Sequence, residues 1–291
     1  MKRKEYEPMH NHTTWRIGGM VDLMLQPESI AEVQDALAEA HALGKPYYVI
    51  GAGSNLLVAD EGLRATVISL GGSLCNWSVS GDRITAEAGL PLPVLARKAA
   101  RAGLSGLEFA AGIPGSVGGA VVMNAGAYQS QMSNIVEQVL CCDQAGNLVT
   151  LDNEACGFAY RTSRFKLDKS LIVLSVTLKL EPGDAEAIEK QMGLNTAARI
   201  EKQPTSYPNA GSVFKNPPGD AAGRLIEQIG AKGWRQGDAM VSDKHANFIV
   251  NMGMATCNDV LLLIERIKTT VLQETGVSLE EEILHLCNEN L

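Results

Sequence analysis

Apolar residues recur at three- and four-residue spacing from Ile30 to Leu43, which predicts an amphipathic helix. Ser29 followed by Glu32 forms a capping box at its start, and Gly44 with Pro46 marks its end. The same signals predict helices over 91–102, over the charged stretch 184–203, over 221–229, and from a cap at Asn258 or Asp259 to Thr275. Short apolar runs predict strands over 47–50, 65–70, 171–180, 248–250 and 283–286. Alternation around Ser80-Gly81-Asp82 and around Gly146-Asn147 predicts hairpins over 77–88 and 135–151. Strands outnumber helices in the middle, so the order is α+β and not a regular doubly wound sheet. Seams near residues 71 and 190 divide the 291 residues into segments 1–71, 72–190 and 191–291.

Two glycine-rich motifs break this pattern. A strand runs into Gly51-Ala52-Gly53-Ser54-Asn55. A Rossmann fingerprint would need a third glycine three residues after the second, opening a helix, but Leu56 stands there and begins a strand. The turn is either a nest of amides for a phosphate or a plain strand-to-strand connection. The second motif spans Gly112, Ile113, Pro114, Gly115, Ser116, Val117, Gly118 and Gly119 and continues to Tyr128. Each glycine costs conformational entropy, so the crowding points to close approach of backbone to a ligand, or to tight packing against another element. Gly115 to Gly119 would cradle a pyrophosphate with amides and one hydroxyl. Met123-Asn124-Ala125-Gly126-Ala127 would lie along an aromatic ring system, with Tyr128 at its border.

Composition narrows the field. The net charge of -8, with no basic run, argues against non-specific nucleic-acid binding. A local pocket can still be positive. Six cysteines show no C-x-x-C and no metal-type spacing with histidine, and several sit in apolar runs, so buried free thiols are expected and no metal site. The basic residues at the start are not followed by an apolar stretch, which argues against a secretory signal and for a cytoplasmic protein. The uncharged segment 109–136 is broken by Pro114 and repeated glycine, so it is rejected as a membrane span.

The ordered set of motifs resembles the UDP-N-acetylenolpyruvoylglucosamine reductase (MurB) family over nearly the whole chain. Its elements are 11–19 (NHTTWRIGG), 51–57 (GAGSNLL), 112–119 (GIPGSVGG), 160–165 (YRTSRF), 210–217 (AGSVFKNP), 245–251 (HANFIVN) and 279–283 (LEEEI). The resemblance implies a vanillyl-alcohol-oxidase-type fold, with two α+β subdomains around FAD and a third α+β domain for a UDP-sugar. It also implies an NADPH-dependent, two-stage reduction of UDP-N-acetylglucosamine enolpyruvate to UDP-N-acetylmuramate, in peptidoglycan precursor synthesis. The shorter length is similar to the family's second class. FAD contacts fall by resemblance on Gly51, Ala52, Gly53, Ser54, Asn55, Leu56, Gly112, Ile113, Pro114, Ser116, Val117, Gly118, Gly119, Asn124, Gly126, Ala127 and Tyr128. Tyr160, Gly211, Lys215 and Asn216 are expected at the substrate, and a monomer is favoured.

The chemistry needs three kinds of help. Hydride addition to a C=C bond conjugated to a carboxylate leaves negative charge that spreads into the carboxylate. Arg161 suits that charge, because guanidinium holds a carboxylate through two hydrogen bonds. Glu282 suits the same site if protonated, although Glu280 and Glu281 adjoin it and leave the register open. Ser212 matches the family's proton donor and needs a neighbour to relay or ease the transfer. His245 is expected in a structural or ligand-contact role. Two other readings stand beside this one: another flavin oxidoreductase of the same fold, or a non-catalytic nucleotide binder.

Overall fold

The helix at Ile30–Ala42 shows how local chemistry sets the elements. Ser29 Oγ accepts from the Glu32 amide at 3.2 Å, while Glu32 Oε2 accepts from the Glu28 amide at 2.7 Å. Two otherwise orphaned donors are thereby satisfied, the second one residue earlier than in a standard capping box. Val33, Ala36, Leu37 and Ala40 form its buried stripe. The helix Cys257–Thr275 has a full capping box, from Thr256 and Asp259. The cap is therefore Thr256, not the expected Asn258 or Asp259: Asp259 is the reciprocal partner three residues in. Gly276 ends the helix in the left-handed region, at φ 72°.

The computed structural model describes residues 1–288. They fall into two units of contact. The first comprises 1–4, 23–52 and 65–199, the second 5–22, 53–64 and 200–291, of which residues to 288 are described. This division differs from the expected seams. Sequence signals mark contiguous stretches, whereas here the chain passes between units within the strands Lys2–Pro8, Met20–Gln26 and Leu63–Ser69, in the turn at residues 52 and 53, and within the helix Ala185–Lys202.

The first unit holds an antiparallel five-stranded sheet, in the order Leu148–Asp152, Val136–Cys142, Ile172–Lys179, Arg83–Glu87, Trp77–Ser80. Strand Tyr47–Ile50 pairs in parallel with Leu63–Ser69 in a separate four-stranded sheet. Helix Leu92–Arg101 contributes Leu92, Leu95, Ala96, Ala99 and Ala100 to the core. Within the glycine-rich segment the chain forms a six-residue helix, Val117–Val122, capped by the Ser116 hydroxyl.

The strands not foreseen include Lys2–Pro8 and Met20–Gln26. The first reads KRKEYEP and is largely exposed, so no apolar alternation announces it.

The second unit has its own core, including Trp15, Phe214, Ile226, Val241, Ile249, Leu263 and Ile267. Trp15 is fully buried and its indole N–H donates to the Ile249 carbonyl at 2.9 Å. Asn251, 3% exposed, donates to the Trp15 carbonyl at 3.0 Å and accepts from the Gly253 and Ala255 amides. Strand Leu284–Leu286 runs parallel to Leu56–Val58.

Five of the six cysteines are buried and none forms a disulfide. Burial pushes the thiols of Cys141 and Cys257 up to about 12 and that of Cys156 to about 11. Among the described residues, no helix is long and apolar enough to cross a membrane.

Asn251→Ala would strand a carbonyl and two amides beside the Trp15 core. The expected loss is about 3 kcal/mol of stability in a denaturant titration. A loss under about 1 kcal/mol would show that Asn251 does not anchor this core.

Candidate active site

In the first unit, four segments pass close together at glycines, against backbone at Gly71 and Gly89 and against the short side chains of Ser116 and Ala88 at Gly51 and Gly118. A Cβ at Gly51 would lie 2.2 Å from Ser116 Oγ, and one at Gly71 would lie 2.5 Å from the Gly51 carbonyl oxygen. A Cβ at Gly89 would lie 2.0 Å from the Leu70 carbonyl oxygen, and one at Gly118 would lie 2.7 Å from Ala88 Cβ. Leu70 donates to Ile50 O, Gly72 to Gly89 O and Gly118 to Ala88 O, at 2.9, 3.0 and 2.8 Å. The two glycine motifs are thus brought together, at Gly51 and Ser116. These bare positions make room for protein backbone, which is the packing alternative for the crowding of glycines.

The amides sort differently from the expected cradle. Val117 donates to Leu90 O, Gly118 to Ala88 O, and Gly119 to Ser116 Oγ at 3.3 Å. Val117 itself is core. Those three amides are therefore spent within the protein. The amides of Ala52, Gly115 and Ser116 donate to no acceptor among the described residues. A Cβ at Gly119 would meet only Ser116 Oγ, at an ordinary 3.4 Å, so the protein does not itself require glycine there. Ser116 is 2% exposed, and an unpaired amide on a buried residue is costly. That buried donor, with the amides of half-buried Gly115 and exposed Ala52, suits the phosphate oxygens of a nucleotide. The residues fit FAD, on fewer amides than expected: Val117, Gly118 and Gly119 drop out.

Asn124 was expected along the flavin ring. Its side chain instead holds the protein together. It is fully buried with φ 43°, accepts from the Ser133 amide at 2.9 Å and donates to the Ala159 carbonyl at 3.0 Å. Ala159 and Thr162 exchange two backbone hydrogen bonds and leave Tyr160 and Arg161 at the tip of a tight turn. Arg161 is held at φ 54°, a strained region for a side chain of its size. Its Nη2 donates to Gly126 O at 3.0 Å, and its guanidinium lies 5.2 Å from the Tyr160 ring. Lys166 donates to the Arg161 carbonyl. Gly126 and Ala127 pair with Gln131 and Ser130. The Tyr128 hydroxyl donates to Asn195 O at 2.6 Å. Ile113 packs on the core, while Pro114 is exposed.

The second unit gathers Ser212 and Glu282 on adjoining segments. Gly211 has φ 78°, and its amide donates to Asn209 Oδ1. The half-buried Ser212 hydroxyl has no protein partner among the described residues. Asn247 clamps the next two residues. Val213 donates to its carbonyl and Phe214 to its Oδ1, both at 2.9 Å, and its Nδ2 donates to Phe214 O at 2.8 Å. The Glu282 amide donates to Val213 O at 2.8 Å, and Asn55 Nδ2 donates to Glu282 O at 3.0 Å.

The glutamate run is sorted by its partners. Glu280 pairs with Lys215, and Glu281 with Lys268 at 2.8 Å. Lys215, expected at the substrate, is engaged by Glu280, and Asn216 Oδ1 accepts from the Ala222 amide. Gly53 and Asn55 serve the protein here too. A Cβ at Gly53 would lie 1.8 Å from His12 O, and the Leu284 amide donates to Asn55 O. Leu56 is buried in its strand, and Ser54 leaves its amide without an acceptor among the described residues. His245 accepts at Nδ1 from the Asn247 amide, and burial lowers its pKa. The sequence reading missed the clamping roles of Asn124 and Asn247. Their one signal is a short amide side chain beside a motif, which is too common to single out.

Comparison with known proteins agrees with this geometry. Residues 21–152 match the FAD binding domain model, and 203–286 match the C-terminal domain of UDP-N-acetylenolpyruvoylglucosamine reductase. The reductase of Heliobacterium modesticaldum is 48% identical over 96% of this chain and 89% of its own length. That of Bacillus velezensis is 45% identical over 96% and 92%. The crystal structure of the Thermus caldophilus enzyme superposes with a TM-score of 0.84 at 40% identity, covering 98% of both chains. The flavin-binding α+β fold expected from the motifs is borne out. With that identity sustained over nearly its full length, the chain belongs to the UDP-N-acetylenolpyruvoylglucosamine reductase family.

Proposed function

We propose that this chain catalyses the FAD-dependent reduction of UDP-N-acetylglucosamine enolpyruvate to UDP-N-acetylmuramate, with NADPH as donor, in peptidoglycan precursor synthesis. Bound FAD supplies the relay of a hydride from the nicotinamide to the substrate. The observation that carries the residue roles is the strained Arg161 at the tip of the Ala159–Thr162 turn. A costly backbone conformation kept by buried hydrogen bonds is characteristic of a functional position.

Arg161 binds the substrate carboxylate and stabilises the charge that flows into it when the terminal carbon gains hydride. Its bond to Gly126 O holds the guanidinium beside the glycine-rich segment. Ser212 delivers a proton to the neighbouring carbon, and Glu282 assists at the same centre. Support for Ser212 is a hydroxyl that the protein leaves without a partner among its described residues, on a segment fixed by Asn247. Support for Glu282 is the sorting of its neighbours, both neutralised by lysines. Cysteines held as free thiols fit a reducing cytoplasm.

Ser212→Ala should leave NADPH reduction of the flavin at the parent rate and slow reoxidation by the enolpyruvyl substrate by about 100-fold or more. Stopped-flow absorbance separates the two half-reactions, and equal reoxidation rates would remove Ser212 from the chemistry. Arg161→Lys keeps the charge but loses the two-pronged geometry. Reoxidation at saturating substrate should fall by roughly 100-fold. A change confined to KM would make Arg161 a binding residue only.

A further inference from the structure

The helix Ala185–Lys202 is fastened to both ends of the glycine-rich segment. Asn195 donates from Nδ2 to the Glu108 carbonyl at 3.0 Å, and its own carbonyl accepts the Tyr128 hydroxyl. One turn further along the same face comes Arg199. A Cβ on Gly112 would lie 2.9 Å from Arg199 Cδ, so the arginine stem lies on the bare backbone at Gly112. Any larger residue at 112 would displace it. The glycine and the arginine are matched to each other.

Arg199 is half-buried, yet it has no carboxylate and no hydrogen-bond acceptor among the described residues. Several other arginines have a local partner, while Arg16, Arg97 and Arg101 are exposed to water. Arg83 has Glu137 and Asp82, Arg224 has Asp220, and Arg161 has Gly126 O. Burial alone pushes the Arg199 pKa below the usual guanidinium value, with Tyr128 opposing. A cation removed from water without an anion is destabilising, and an anionic ligand would reverse that. Gly112 opens the segment that also carries the unused amides of Gly115 and Ser116.

We propose that Arg199 is the charge partner of an anionic part of the flavin nucleotide held by the Gly112–Tyr128 segment. The inference rests on the flavin reading above and assigns it a residue that the motifs did not mark. Two parts of that ligand carry negative charge: the pyrophosphate in every redox state, and the ring system once reduced. Arg199 touches one of them, and the two sources have different signatures.

The test compares the FAD-loaded parent with Arg199→Gln and Arg199→Lys. Flavin fluorescence on dilution gives the FAD dissociation constant of the oxidised protein, and a redox titration gives the midpoint potential. A pyrophosphate partner predicts FAD binding weakened at least about tenfold in R199Q, with the potential little changed. A reduced-ring partner predicts unchanged oxidised affinity and a potential lower by about 30 mV or more, the two-electron equivalent of a tenfold ratio. R199K should fall between R199Q and the parent in either case. Parent-like affinity and potential in R199Q would overturn the assignment while leaving the flavin reading intact. A parent protein that holds no FAD would overturn both.

Discussion

The first unit depends on segments that meet closely at glycines, against backbone or a short side chain. At Gly51, Gly71, Gly89 and Gly118 a single methyl group would collide with a neighbouring segment, at separations of 2.0 to 2.7 Å. The absent side chains let the segments approach, and hydrogen bonds from Leu70, Gly72 and Gly118 lock them. The Ser116 cap, the helix Val117–Val122 and the unused amides of Ala52, Gly115 and Ser116 all take their positions from this crossing. The glycines therefore bring the unused donors together, the set that suits a phosphate.

Buried asparagines do the comparable work at the reactive side chains. Asn124 secures the Arg161 turn from within the first unit. In the second unit Asn247 fixes the residues after Ser212, while Asn55 holds the carbonyl of Glu282. An asparagine offers a donor and an acceptor on a short, stiff stem, so one side chain can satisfy two backbone groups at once. Such contacts fix the backbone around Arg161, Ser212 and Glu282, the three residues proposed for the chemistry.

Much of this was legible in the sequence because the signals were local. The helix at Ile30–Ala42 carries its cap, stripe and stop in order. The hairpin joining Val136–Cys142 to Leu148–Asp152 turns where Gly146-Asn147 allows it. What was not legible depended on distant partners. Nothing in KRKEYEP foretells a strand, because its pairing is through backbone and its side chains face solvent. Residue 71 read as a seam, yet Gly71 packs on Gly51 within one unit. The pyrophosphate cradle was drawn over Gly115–Gly119, but the last three amides turned out to bind Leu90, Ala88 and Ser116. Hydrogen-bond accounting in three dimensions, which the motif cannot supply, leaves Gly115 and Ser116 of that cradle, with Ala52 of the first motif, as donors without a protein acceptor among the described residues.

The central claim is that this fold carries a flavin which takes electrons from NADPH and passes them to an enolpyruvyl nucleotide-sugar. The most direct test is the visible absorption spectrum of the purified protein under anaerobic conditions, before and after NADPH and then after UDP-N-acetylglucosamine enolpyruvate. The account predicts flavin bands that bleach with NADPH and return with the sugar. Bands that bleach and stay bleached would contradict the assigned substrate, and a protein with no flavin bands even after added FAD would contradict the claim at its root.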